Sequence, residues 1–209
     1  MKVLLLSILI VSSSFFTIHP EQEFKRYGIK SGIIEFELSG AQSGKETVYF
    51  DDWGYREAKY TEAELNIGGF TQKNSSITIM EGKMIYSIDL ATNTGTKVEN
   101  TMFDGLEDQD MEEIGEKMMK EMGGEKIGTE QVLDRECDVW EIKHMGSKTW
   151  VWKSIPLKTE LNMGMQMNIV ATSITEGNVP AEKFKIPEGI TFQDVGNLDD
   201  IMKKLKGKG

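Results

Sequence analysis

Histidine and cysteine are almost absent from this 209-residue chain: there are two histidines, His19 and His144, and one cysteine, Cys137. One cysteine allows no internal disulfide. A zinc site needs four convergent ligands, or three and a water; Cys137 and His144 cannot supply it. A nucleophile–histidine arrangement would have to use His144. Cys137 and His144 are an odd number apart on what reads as one strand, so they face opposite sides, and Cys137 reads as a small core residue. No glycine-rich phosphate loop is present, since Gly123-Gly124-Glu125-Lys126 lacks the surrounding spacing. The acidic pairs Asp51-Asp52, Glu112-Glu113 and Asp199-Asp200 are sequence neighbours whose carboxylates point apart. They read as solvated surface rather than as acid and base across a cleft. No enzyme chemistry and no cofactor are expected.

Positive charge is also scarce. Lys+Arg 24 against Asp+Glu 34 leaves a net charge of −10. That balance argues against nucleic acid, whose phosphates need a basic surface. It argues equally against electrostatic docking on anionic lipid. Beyond Val11 no apolar run is long enough to span a bilayer.

The start of the chain differs from the rest. Lys2 precedes an apolar run, Val3 to Val11, broken only by Ser7 and followed by Ser12-Ser13-Ser14. Residues 1–20 read as a secretory signal peptide, leaving 21–209 as a single domain. Phe15 to His19 lack a small-x-small cleavage pattern, so an uncleaved anchor is the competing reading. No cysteine follows the leader to carry lipid. The expected location is periplasmic or secreted.

From Ile29 to Asn100 the text alternates with period two. Ile34, Phe36 and Leu38 share one face and Glu35 and Glu37 the other, as in a half-buried strand. Gly40 to Gly44, Asp52-Trp53-Gly54, Gly68-Gly69, Glu81-Gly82-Lys83 and Asn93-Thr94-Gly95 punctuate successive strands. Leu106 to Met122 changes period: Met111, Ile114 and Met118 form one helical stripe, with acids early and Lys117 and Lys120 late. Gly123-Gly124 stops it. Leu157, Thr159, Leu161, Met163, Met165, Met167 and Ile169 are all odd-numbered with polar residues between, which predicts one long strand. Leu198, Ile201, Met202 and Leu205 predict a short tail helix. The expected fold is mainly β: a curved antiparallel sheet forming a half-open barrel, with one central lid helix and a short C-terminal helix.

Methionine is abundant, with 13 residues. Three readings compete. Methionine fills ordinary cores; it lines cavities that accept variable apolar shapes; and its thioether is a soft ligand for Cu(I). On the cavity reading the wall is Trp150, Trp152, Leu161, Met163, Met165 and Met167, with Met111, Ile114 and Met118 of the helix as lid. A core-packing role is the alternative for the tryptophans.

The leader, Tyr49-Phe50-Asp51-Asp52-Trp53-Gly54, the hairpin Thr149-Trp150-Val151-Trp152-Lys153-Ser154-Ile155-Pro156-Leu157-Lys158-Thr159-Glu160-Leu161 and the late Phe184-Lys185-Ile186-Pro187-Glu188-Gly189 together resemble the periplasmic LolA/LolB-like lipoprotein-carrier superfamily, in particular its LolA-like members. The resemblance implies an unclosed antiparallel barrel, a helical lid and an apolar cavity for lipid or lipoprotein acyl chains. A transient membrane or envelope-protein contact goes with it. Two departures stand out: carriers of this kind have several lid helices, and none of Arg26, Arg56 and Arg135 sits in a motif matching the arginine tied to lid closure. The alternative to a carrier is an envelope interaction module with a filled core.

Overall fold

The computed structural model describes residues 25–101, 104–105, 110–198 and 200. The strands are β1 (Gly32–Gly40), β2 (Gln42–Asp51), β3 (Arg56–Ile67), β4 (Phe70–Glu81), β5 (Met84–Asp89), β6 (Thr94–Glu99), β7 (Glu125–Val132), β8 (Arg135–Ile142), β9 (Ser147–Trp152), β10 (Ile155–Asn162), β11 (Gln166–Glu176) and β12 (Thr191–Asn197). One α-helix, α1 (Met111–Glu121), lies between β6 and β7. All twelve strands form one sheet, in the order β12-β6-β5-β4-β3-β2-β1-β11-β10-β9-β8-β7. The sheet is curved and open, not closed into a barrel. The mainly β architecture with one central helix follows the sequence pattern: in β1 Ile34, Phe36 and Leu38 are buried while Glu35 and Glu37 are exposed.

Two buried clusters divide the sheet. The larger joins Ile34, Phe36, Val48 and Phe50 to Val139, Trp150, Ile155 and Leu157, with Ile29 from the segment that leads into β1. That segment stitches distant turns together. Tyr27 N–H donates to the Trp53 carbonyl at 2.9 Å, and Gly28 N–H to the Lys153 carbonyl at 2.9 Å. A Cβ on Gly28 would stand 2.8 Å from Lys153 Cβ, so this crossing needs glycine. The smaller cluster is Ala58, Ile77, Ile79 and Ile88, covered by Tyr49, Tyr60, Tyr86, Phe184, Ile190 and Phe192. Register explains its composition: Tyr49 pairs with Ala58, Ala58 with Ile79, and Ile79 with Tyr86, so all four share a face.

Three expectations change. The odd-numbered run from Leu157 to Ile169 is not one strand but β10 and β11, joined by a turn at Met163–Met165. Gly164 has φ +79°, and Met163 N–H donates to the Met165 carbonyl at 3.3 Å. Alternation continued across the turn and concealed it. The sheet is mixed, because β12 runs parallel to β6. The chain returns to that edge along residues 180–190, over the smaller cluster, and arrives in β6's direction. The helix starts at Met111, where the Asp110 carboxylate accepts from Glu112 N–H at 2.8 Å; residues 106–109, predicted as its first turn, lie outside the described residues. So do Ile201, Met202 and Leu205 of the predicted tail helix, of which Leu198 and Asp200 are helical. The leader also falls outside.

Candidate functional site

The helix α1 carries its apolar stripe toward the sheet because Met111, Ile114, Met118 and Met122 recur three and four residues apart. Glu112 and Glu113 sit in the first turn and Lys120 in the last, matching the helix dipole. Lys120 and Glu116 pair along the helix at 3.0 Å. The helix ends where Gly124 N–H donates to the Met119 carbonyl at 2.8 Å. A Cβ on Gly124 would lie 2.7 Å from that oxygen. Ile114 is the only buried residue of the helix.

Between α1 and the sheet is a cavity of about 540 Å³. The helix side is Met111, Ile114, Met118, Met119 and Met122, and the sheet side includes Trp140, Val151, Trp152 and Pro156. Pairing of Asp138 with Val151 and of Trp140 with Thr149 places these side chains on one face of β8 and β9. Cys137, Val139 and Trp150 alternate with them and belong to the packed cluster behind. Trp152, at the end of β9, borders both.

Charged residues also line the cavity: Glu112 and Glu116 from the helix, Glu136, Asp138 and Lys153 from the sheet, and Arg26. Lys120 Nζ lies 6.0 Å from the Trp140 ring, and Lys126 pairs with Asp138 at 2.6 Å. Trp152 has two cations against its ring, Arg135 at 5.0 Å and Lys153 at 4.9 Å. At the helix's N-terminal end Arg26 reaches the cavity. Its guanidinium donates to Tyr27 Oη at 2.9 Å and to the Glu57 carboxylate, which also accepts from the Tyr27 hydroxyl. Burial, then the charge of Glu57, pushes the Tyr27 phenol well above its ordinary value. Its hydroxyl therefore acts as a proton-bearing strut that holds Glu57.

The residues named from sequence do not form one wall. Met111, Ile114, Met118 and Trp152 meet at the cavity. Trp150 faces the other way: it is buried in the large cluster and its indole N–H donates to Glu130 at 2.8 Å. Leu161 pairs with Met167 near the far end of β10. Met163 and Met165 are exposed in the turn. Trp150 and Trp152 do not reach Met163 and Met165, because β9 and β10 join at a tight turn: Trp152 pairs with Ile155 and Trp150 with Lys158, while Met163 and Met165 lie past the other end of β10. Sequence reasoning missed Trp140, Val151, Met119, Met122 and Arg26. Met122 was legible four residues after Met118; Trp140 and Val151 were legible only as a cross-strand neighbourhood that needed the β8–β9 register.

Cys137 is fully buried, its thiol directed to the Arg135 carbonyl at 3.5 Å, and burial pushes that thiol up. His144 sits in the β8–β9 connection beside Gly123. Among the described residues no three His, Cys, Asp or Glu side chains converge as a metal site. Among them, too, no helix is long and apolar enough to cross a membrane.

No protein-family model and no curated protein matches the sequence. Solved structures similar to it include a conserved protein from Thermus thermophilus, at TM-score 0.48 and 10% identity over 83% of this chain and 94% of that one. LprF from Mycobacterium bovis is similar at TM-score 0.33 and 8% identity, over 76% and 92%. A LolA superfamily protein from Nitrosomonas europaea is similar at TM-score 0.27 and 9% identity, over 79% and 94%.

Proposed function

We propose that this chain is a non-enzymatic, exported carrier that holds the apolar part of an amphiphile, a lipid or the acyl chains of a lipoprotein, between α1 and the sheet. The observation that carries the reading is the cavity whose lining includes Met111, Ile114, Met118, Met119 and Met122 on the helix side and Trp140, Val151 and Trp152 on the sheet side. Its volume falls in the roughly 300–1,000 Å³ range of small-molecule sites. Unbranched, polarizable thioethers adapt to a flexible chain without a fixed shape. Each methylene taken from water contributes about 0.8 kcal/mol, so a ten-carbon chain gains on the order of 8 kcal/mol before its immobilisation is charged against it. Loading requires one wall to move, and α1 is the wall with a single buried residue. Export rests on Lys2 and the Val3–Val11 run.

The test is native mass spectrometry of protein purified without detergent, together with uptake of a fluorescent fatty acid. The carrier reading expects copurifying lipid mass or saturable uptake. A clean apo mass with no uptake sinks it. That result would favour an envelope interaction module, a reading supported by the solid packing of Phe50, Ile34, Leu157 and Val139 in the larger cluster.

A further inference from the structure

Among the described residues, half of the large hydrophobic side chains that stand exposed do so at one end of the sheet. Ile67 and Phe70 flank the β3–β4 turn, Met163 and Met165 form the β10–β11 turn, and Met145 lies in the β8–β9 connection. Phe70 is 69% exposed and Met163 66%. Register puts these turns, and the β1–β2 turn at Ala41, on the same rim: Gln42 pairs with Leu65, Gly40 with Met167, and Leu161 with Ser147. Backbone bonds link them in a row. Asn66 N–H donates to the Ala41 carbonyl at 2.7 Å, Ala41 N–H to Gln166 at 2.8 Å, and Asn162 N–H to Gly146 at 2.8 Å.

The rim is also poor in charge. Residues 38–44, 65–72 and 161–173 contain no Asp, Glu, Lys or Arg; the β8–β9 connection adds His144 and Lys143, whose ammonium pairs with Glu125 at 3.0 Å. In a chain with 34 acids this is a segregation of charge that follows position in the fold, since the segments are far apart in sequence. Charges resume behind the rim, where several are paired: Lys73 with Glu64 at 3.8 Å, Lys148 with Glu141 at 3.8 Å, and Lys158 with Glu160 at 2.8 Å.

We infer that this rim docks on the surface of a neutral, zwitterionic lipid bilayer, inserting Ile67, Phe70, Met163 and Met165 among the headgroups. Separate protruding turns fit a deformable plane. Uncharged tips escape the cost of dehydrating ions at the interface, and side chains of this kind gain there by burying apolar surface. The net charge of −10 disfavours anionic lipid. The cavity adjoins the rim: Met122 lines it, and the next residue, Gly123, abuts His144. Docking itself needs none of the cavity's residues, so it stands or falls apart from the carrier reading.

The experiment is flotation of the full chain with phosphatidylcholine vesicles, for the wild type and for the combined variant Ile67→Ser, Phe70→Ser, Met163→Ser, Met165→Ser, with native fold checked by near-ultraviolet circular dichroism. Flotation of the wild type that persists at raised salt, and a loss of about tenfold or more in the variant, is expected. A wild type that stays at the bottom, a variant that floats equally, or binding confined to anionic vesicles overturns the inference. So does a wild type that self-associates through the rim and ignores vesicles, because the occupant would then be a second copy. Since Cys137 is fully buried, an environment-sensitive dye on Phe70→Cys reports position directly. Its emission shifts to the blue with vesicles while the same dye on Glu81→Cys, at the opposite end of β4, does not; equal or absent shifts count against docking.

Discussion

The helix α1 and the strap formed by residues 180–192 both lie over apolar sheet, yet they are fastened differently. The strap is tied at several points. Tyr60 Oη donates to the Lys183 carbonyl at 2.8 Å, Thr191 N–H to the Asn93 carbonyl at 3.1 Å, and Phe192 meets Tyr86 edge to face at 5.5 Å. Arg56 lies 4.8 Å from the Phe184 ring and pairs with Asp51 at 2.7 Å. A Cβ on Gly95 would stand 2.8 Å from both Phe192 and the Ser87 carbonyl, so the Phe192 ring sits directly on the β6 backbone at this point. The helix rests instead on flexible thioethers above a cavity, with its ion pairs running along its own surface. Two covers of similar apolar character thus differ in what lies beneath: close packing under one, adaptable space under the other. Close packing makes a segment part of the core, whereas adaptable space permits a low-energy opening.

The largest effect that tests this contrast belongs to the strap. Phe192→Ala removes a half-buried ring from the smaller cluster and is expected to cost about 2–3 kcal/mol in denaturant unfolding, below the ~3–5 kcal/mol of a fully buried aromatic. Met118→Ala under the helix is expected to cost about 1 kcal/mol, because its surroundings already contain space. Equal costs would erase the distinction between the covers. A middling effect is expected from filling the cavity. Val151→Trp should weaken uptake of a fluorescent fatty acid by about tenfold, equivalent to 1.4 kcal/mol, with little change in unfolding midpoint. Undiminished uptake would move the ligand site elsewhere.

The smallest effect concerns pH and the strap's anchor. Partial burial pushes the Asp51 carboxyl up, but hydrogen bonds from Arg56 and the Asp52 N–H, together with the Arg56 charge, outweigh it and hold the group below its ordinary value. A depressed folded-state value means the contribution is complete above the unfolded carboxylate range, about pH 4, and is lost as pH falls through the folded value. The hydrogen-exchange protection factor at Lys185, whose N–H donates to the Glu182 carbonyl, should therefore fall on acidification below that range. Asp51→Asn should already show faster exchange at neutral pH and a flatter acid response at this residue; an unchanged acid response would detach Asp51 from the strap.

Much of the sheet was legible because strand alternation is a local signal. Ile34, Phe36 and Leu38 declare a buried face whatever lies beyond it, and Gly68-Gly69 and Gly82 mark turns that need φ near +60° to +80°. The site was legible on its helical side and, on the sheet, only at Trp152. Met111, Ile114 and Met118 point inward by spacing alone, but their partners depend on which face of β8 and β9 the helix covers. The Met163–Met165 stretch misled for a related reason: period-two alternation passes through a turn unchanged when the turn supplies the same polarity pattern, so only the φ of Gly164 separates two strands from one.

By itself the sequence determined a mainly β chain with one amphipathic helix, an inert buried cysteine and an acidic charge balance, since each follows from composition or from contacts within a few residues. The tertiary structure alone decided that Trp140 and Val151, not Trp150, face the helix, that β12 returns parallel to β6, and that three uncharged turns share a rim. Those outcomes depend on strand register and on the path of the strap. Both are set by pairings between residues distant in the chain, which no local periodicity encodes.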